Sequence, residues 1–302
     1  MTSYVFPGQG SQTLGMAKDF HDNFQIARDT FEEIEDHTNI DIRNIIFEDQ
    51  DSRLDITRFT QICVFTASCA IFKTFINQKD LKNENINVML GHSLGEYTAL
   101  TCSNKISLKN CSLILKKRGE LMNSAVTSNI TGMAALIGSK ADLIEEIIKD
   151  NKLNLEIAND NSPIQVVISG TKDELQKSKE IFLKYNIKKF VLLNVSAAFH
   201  SNFMLDAQRQ LSEEIENLNF IENNIKIISN YDATITKESQ QIKTKLQKQM
   251  ANKVNWTKSI QKLEEIGEKN IIEIGPGKVL SGLIKRISNS FDIISINKIS
   301  DL

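Results

Sequence analysis

The sequence predicts an α/β protein, a parallel sheet flanked by helices with a small ferredoxin-like domain inserted into it. Three observations carry that expectation. Over residues 1–123 short apolar runs alternate with longer helical stretches, the rhythm of a parallel sheet covered by helices. From Ala125 to Asn194 the order becomes strand-helix-strand-strand-helix-strand, which is the split βαββαβ unit. After Val195 the first rhythm resumes, so the second pattern interrupts the first. The resulting boundaries are residues 1–124 and 195–302 for the larger domain and 125–194 for the insert.

In chain order, Tyr4-Val5-Phe6 forms the first strand and is followed by polar helical stretches that hold His21 and His37, both read as solvated. Residues 61–77 place Ile62, Phe65, Thr66, Cys69, Phe72, Lys73 and Ile76 at steps of three and four, a helical stripe facing the core. Residues 86–90 read as a buried strand, 94–103 as a helix, and 108–122 as a helix with Ser107 at its N-cap. The insert holds strands at 132–137, 153–158, 165–169 and 189–194 and helices at 141–151 and 172–185. The chain then predicts helix 204–218, strand 225–229, helices 241–251 and 257–266, strand 270–274 and a last helix from Val279. Pro7, Pro163 and Pro276 each fall in a turn beside a strand-like run.

Composition excludes several classes. With 302 residues, 41% apolar and 25% charged, the chain has enough material for one large domain and a smaller one. A net charge of -2 with dispersed Lys and Glu lacks the dominant basic surface of a nucleic-acid binder. No apolar run reaches the roughly 18 residues expected of a membrane span, and the N-terminus carries no signal segment. Cys63, Cys69, Cys102 and Cys111 form no C-x-x-C pair, so free buried thiols in a reducing, cytoplasmic compartment are expected, with no metal site.

Residues 91–97, GHSLGEY, carry the chemistry. A G-x-S-x-G run between a strand and a helix turns so sharply that the serine is exposed above the sheet, as in a hydrolase-like catalytic domain. The helix that follows directs its N-terminal dipole at Ser93, where it can stabilise negative charge. A serine hydroxyl needs a base, usually histidine. His92 diverges from its neighbour across the turn, which leaves His200, in a loop of small residues after a predicted strand. Along the 108–122 helix the stripe Leu108, Cys111, Leu115, Arg118, Met122 puts an arginine in a core-facing slot. A buried guanidinium requires an anion, either an internal carboxylate or the carboxylate of a substrate.

With these residues assembled, the chain resembles the malonyl-CoA:acyl carrier protein transacylase family of type II fatty-acid synthesis, from Val5 to about Ile287. The matching stretches are FPGQGSQ at 6–12, GHSLGEY at 91–97, KRGELM at 117–122, NSPIQVVISG at 161–170, AFHS at 198–201, VNWTKS at 254–259 and EIGPGKVLSGLIKRI at 273–287. The resemblance implies an α/β hydrolase-like catalytic domain, Ser93 as nucleophile, His200 as its base, and Arg118 as the group that binds the malonyl carboxylate. It implies further that the backbone N–H groups of Gln9 and Leu94 form an oxyanion hole, that Gln249 orients the histidine, and that Phe199 restricts the acyl group. Lys253 departs from the family pattern, which often has proline there. Malonyl-CoA, coenzyme A and acyl carrier protein are the partners implied, with no cofactor, no nucleic acid, no membrane and a monomeric state. Lys278, Lys285 and Arg286, or Lys188 and Lys189, are candidate carrier-docking charges. A serine esterase or thioesterase with the same elbow is the alternative, its acid drawn from Asp150, Asp160 or Asp173. A non-catalytic acyl-binding module is the third reading.

Overall fold

The computed structural model describes residues 2–80, 86–125 and 130–302. Strands are numbered β1 (Thr2–Phe6), β2 (Ile86–Gly91), β3 (Thr131–Ile137), β4 (Leu155–Ser162), β5 (Gln165–Thr171), β6 (Lys189–Leu192), β7 (Lys226–Ile228), β8 (Ile235–Thr236), β9 (Asn270–Ile274) and β10 (Asp292–Ile296). The larger sheet has the order β10-β9-β1-β2-β7-β8. Its pairs are parallel except β7–β8, so an antiparallel edge joins an otherwise parallel sheet. Within it β7 falls inside the strand predicted at 225–229, whereas the two-residue β8 and the edge strand β10 were not foreseen. The central strands β1, β2 and β9 are buried along most of their length because helices cover both faces.

Residues 131–192 form a separate antiparallel sheet of order β4-β5-β3-β6, with helices Ala141–Asp150 and Lys172–Lys184 packed on it over their own apolar cluster. The start of the predicted insert, at 126–129, lies outside the described residues. The two sheets are stitched at Val254, whose N–H donates to Ala158 O at 2.9 Å while its carbonyl accepts from Asp160 N–H at 3.0 Å.

Four sequence expectations need correction. The helix predicted at 61–77 runs from Thr57 to Gln78 and is buried on nearly all sides, because it lies between the sheet and neighbouring helices. Its 22 residues are long and apolar enough to cross a membrane by length and composition, yet most of it is enclosed by the fold. His21 packs edge-on against Phe31 and Phe47, with ring centroids 5.3 and 5.2 Å away, so it is not simply solvated. The helix predicted at 241–251 ends at Leu246, and the strand predicted at 189–194 ends at Leu192. Both early endings serve the site described next.

Candidate active site

Pairing of neighbouring parallel strands brings two turns together. β1 and β2 align Phe6 with Gly91, so the loops after them emerge side by side at the carboxyl edge of the sheet, where open α/β sheets bind ligands. A Cβ on Gly8 would lie 2.4 Å from the carbonyl oxygen of His92, and one on Gly95 would lie 2.1 Å from that of Phe6. Only glycine permits such approach of two backbones. Ser93 stands on this support with φ 54° and ψ -108°, a geometry that costs on the order of 1–3 kcal/mol and needs its surroundings to hold it. Asn230 supplies part of that hold. Its Oδ1 accepts from Ser93 N–H at 2.7 Å and its Nδ2 donates to Gly91 O at 2.7 Å.

His200 reaches the serine from the other side. After Leu192 the chain leaves β6 as a loop anchored to the smaller sheet. Thr131 Oγ1 accepts from Ala198 N–H at 3.2 Å, and Ser169 Oγ donates to Phe199 O at 2.7 Å. His200, at φ 55° and buried, places Nε2 2.8 Å from Ser93 Oγ. Its Nδ1 lies 3.1 Å from the carbonyl oxygens of both Gln249 and Asn252. Carbonyls only accept, so Nδ1 carries the proton and the Nε2 lone pair faces the serine hydroxyl. Burial, followed by the positive charge of Arg118, drives the imidazole pKa down to about 3, so the ring is neutral at neutral pH.

Gln249, implied by the resemblance to orient the histidine, makes that contact through its main chain. Main-chain carbonyls orient His200, and Asn252 shares the task. Because the helix stops at Leu246, these carbonyls are not engaged in an i to i+4 ladder. The Gln249 amide does something else. Its Nε2 donates to Ser93 O at 2.9 Å and to Glu96 Oε2 at 2.7 Å, while its Oε1 accepts from Arg118 Nη2 at 3.2 Å.

Arg118 is fully buried, and among the described residues it forms no ion pair. Nη1 donates to Gln61 Oε1, Nη2 donates to Ser93 Oγ at 3.0 Å, and the guanidinium lies 5.3 Å from the centre of the Tyr97 ring. Two neutral amides and an aromatic face thus hold a cation beside the serine without cancelling its charge. Gln61 had only its place in an apolar helix to announce it, and Asn230 and Asn252 had no sequence signal at all.

Of the remaining candidates, Gln9 and Phe199 line the space beside the serine and histidine. Gln9, Ser93, Phe199 and His200 border a cavity of about 110 Å³, closed from the smaller sheet's side by Met133, Asn159 and Leu193. Among the described residues, the backbone N–H groups of Gln9 and Leu94 donate no hydrogen bond within the protein. The Gln9 side chain is held away, donating to Thr57 Oγ1 at 3.3 Å and accepting from Gln61 Nε2 at 3.2 Å. Phe199 is buried in the wall. His92 turns aside to Asn161 Oδ1 at 2.8 Å and to the Trp256 ring. Asp160 binds Thr257 Oγ1 at 2.6 Å, and among the described residues no carboxylate hydrogen-bonds His200. A triad acid of the hydrolase kind is not assembled.

An α/β fold with a strained serine elbow, a neutral histidine on its hydroxyl and free backbone donors nearby defines an acyl-transfer protein of the serine class. The chain belongs to the acyl transferase domain family, which matches residues 3–297, and within it to the malonyl-CoA:acyl carrier protein transacylases. It is 34% identical over 300 residues to the malonyl CoA-acyl carrier protein transacylase of Bacillus subtilis (strain 168), covering 98% of this chain and 93% of that one. An acyl carrier protein S-malonyltransferase from Vibrio cholerae superposes with a TM-score of 0.94 at 32% identity, covering 99% of this chain and 98% of that one. A malonyl-transacylase in complex with its type II polyketide acyl-carrier protein gives the same TM-score and identity, covering 99% and 97%.

Proposed function

We propose that this chain transfers the malonyl group of malonyl-CoA to the phosphopantetheine thiol of acyl carrier protein in fatty-acid biosynthesis, through a malonyl ester on Ser93. One observation carries the choice of substrate: the buried Arg118, with no ion pair among the described residues, donates to the oxygen of the nucleophile itself. A short diacid would place one carboxyl carbon at Ser93 Oγ and its free carboxylate on the guanidinium fork.

Ser93 Oγ attacks the thioester carbonyl while its proton passes to His200 Nε2. The Gln9 and Leu94 N–H groups receive the negative oxygen. The C–S bond breaks, the proton goes from imidazolium to the departing sulfur, and coenzyme A leaves as the thiol. In the second half the carrier thiol gives its proton to His200 and attacks the ester. The C–Oγ bond breaks, and Ser93 recovers its proton. A carboxylate on Arg118 offsets the charge that depresses His200, so the base gains strength when substrate is in place. Exchange of one thioester for another draws on no nucleotide or redox cofactor. Free buried cysteines support a cytoplasmic setting, and the resemblance supports a monomer.

The test is intact-protein mass spectrometry after mixing with malonyl-CoA. A malonyl adduct confined to Ser93, removed faster by carrier protein than by water, is the expected result. Faster loss to water would favour the esterase, and no adduct would defeat the reading.

A further inference from the structure

Glu96 is the charged residue of the elbow segment that the mechanism above leaves without a task. It sits in the first turn of the helix Leu94–Cys102 with its side chain wholly buried. Oε2 accepts from Gln249 Nε2 at 2.7 Å and from Asn230 N–H at 3.2 Å, and Oε1 has no hydrogen-bond partner among the described residues. We infer that Glu96 is a positioning residue for the carboxylate clamp, acting on Arg118 through the amide of Gln249. The inference rests on the malonyl-transfer reading and names a determinant of its specificity.

Every partner of the Gln249 amide is chemically one-sided. Arg118 can only donate, the Ser93 carbonyl can only accept, and Glu96 Oε2, which also takes the Asn230 N–H, accepts as well. The amide is thereby set with Nε2 toward Glu96 and Oε1 toward Arg118 Nη2. A carboxylate placed directly on Arg118 would form an internal ion pair and compete with the substrate. Held one amide away, Glu96 dictates the orientation of the clamp's neutral acceptor and leaves the fork open to an incoming carboxylate. The same Oε2 also holds the backbone of Asn230, whose side chain secures Ser93, so part of any loss will be common to all acyl groups.

The test is Glu96→Gln, which keeps the shape but offers Gln249 an amide that can either donate or accept. The Gln249 amide then keeps only the Ser93 carbonyl as an obligate acceptor on its Nε2 side, and any turning of its NH₂ toward Arg118 removes an acceptor from the guanidinium. Acylation of Ser93 is measured with malonyl-CoA and acetyl-CoA, in wild type, Glu96→Gln, Gln249→Leu and the double variant, alongside thermal midpoints. The malonyl-to-acetyl ratio of kcat/KM is expected to fall roughly tenfold in Glu96→Gln, the scale of one hydrogen bond to a charged group. In the Gln249→Leu background the same change should leave the ratio unaltered, since the path is already cut. An unchanged ratio with normal Ser93 malonylation overturns the inference, as does an equal loss for both substrates or full additivity in the double variant. Absence of malonylation in the wild type would instead bring down the transfer reading, and this inference with it.

Discussion

Two strand-to-helix turns at the carboxyl edge of one sheet each carry a buried glutamate, and they treat it oppositely. At the end of β9, Glu273 accepts from Leu280 N–H at 2.9 Å and Ser281 N–H at 2.8 Å across the turn, capping the helix Val279–Ile287 with both oxygens occupied. The backbone strain there falls on Gly275 and Gly277, at φ 137° and 77°, residues that bear it at little cost. After β2, Glu96 has one oxygen unpartnered, Ser93 bears a positive φ without being glycine, and an uncompensated guanidinium lies alongside. Burial pushes the Glu96 carboxyl up to about 7, and it raises Glu273 too, where helix N–H groups oppose it. The first turn is built for stability and the second for reaction. Strain and unspent polar capacity mark the difference more reliably than burial, which both share.

The largest expected effect comes from removing the strained hydroxyl. Ser93→Ala should lower malonyl transfer on the order of a millionfold, the scale seen when a serine nucleophile is deleted, while the urea unfolding midpoint changes little, since alanine keeps the same strained backbone. Retained acylation elsewhere in the chain would break the contrast between the two turns. Next, Arg118→Ala should reduce malonyl kcat/KM by roughly 10- to 100-fold, the worth of a charge-assisted bond, and leave acetyl transfer intact. Equal loss for both acyl groups would make Arg118 a packing residue.

The capping turn should answer in the other currency. Glu273→Ala is expected to destabilise the chain by about 2 kcal/mol in denaturant unfolding, with acylation per folded molecule unchanged. A smaller effect is a pH shift. His200 is held neutral below its ordinary pKa, with Arg118 as the second cause after burial, so the acid limb of kcat/KM for acetyl-CoA should lie well below pH 6.5. Removing the cation raises the imidazole pKa, so in Arg118→Ala that limb should move to higher pH. A limb that stays in place would show that burial alone sets the base. The smallest effect concerns the exposed side of the stable turn. Reversing Lys285 and Arg286 together should raise KM for carrier protein a few-fold and leave KM for malonyl-CoA as it was.

Much of this site was legible in the chain. Ser93, Arg118 and His200 could be picked out because each breaks a local rule: a serine between two glycines after a strand, an arginine in an apolar stripe, a histidine in a loop of small residues. The strand and helix rhythm likewise located the smaller sheet and strands β1, β2, β7 and β9 of the larger one to within a few residues, since period and turn chemistry are local properties. The helix Thr57–Gln78 was misjudged as one-sided because its surroundings, not its own period, bury it. Asn230 and Asn252 escaped notice because an asparagine in a polar loop looks the same whether it clamps an elbow or faces water.

What the sequence determined by itself was the set of chemical groups and the local turns that present them. Which groups touch was decided by tertiary structure alone. Parallel pairing of β1 with β2 set Gln9 beside Ser93, and the smaller sheet delivered His200 from more than a hundred positions away. The turn after the helix Ser239–Leu246 aims the carbonyls of Gln249 and Asn252 at its Nδ1 and so fixes its tautomer. The physical reason is that a hydrogen bond forms between atoms about 3 Å apart in space whatever their separation along the chain. A main-chain carbonyl, identical in every residue, becomes a specific partner only when the fold leaves it free and pointed at an imidazole.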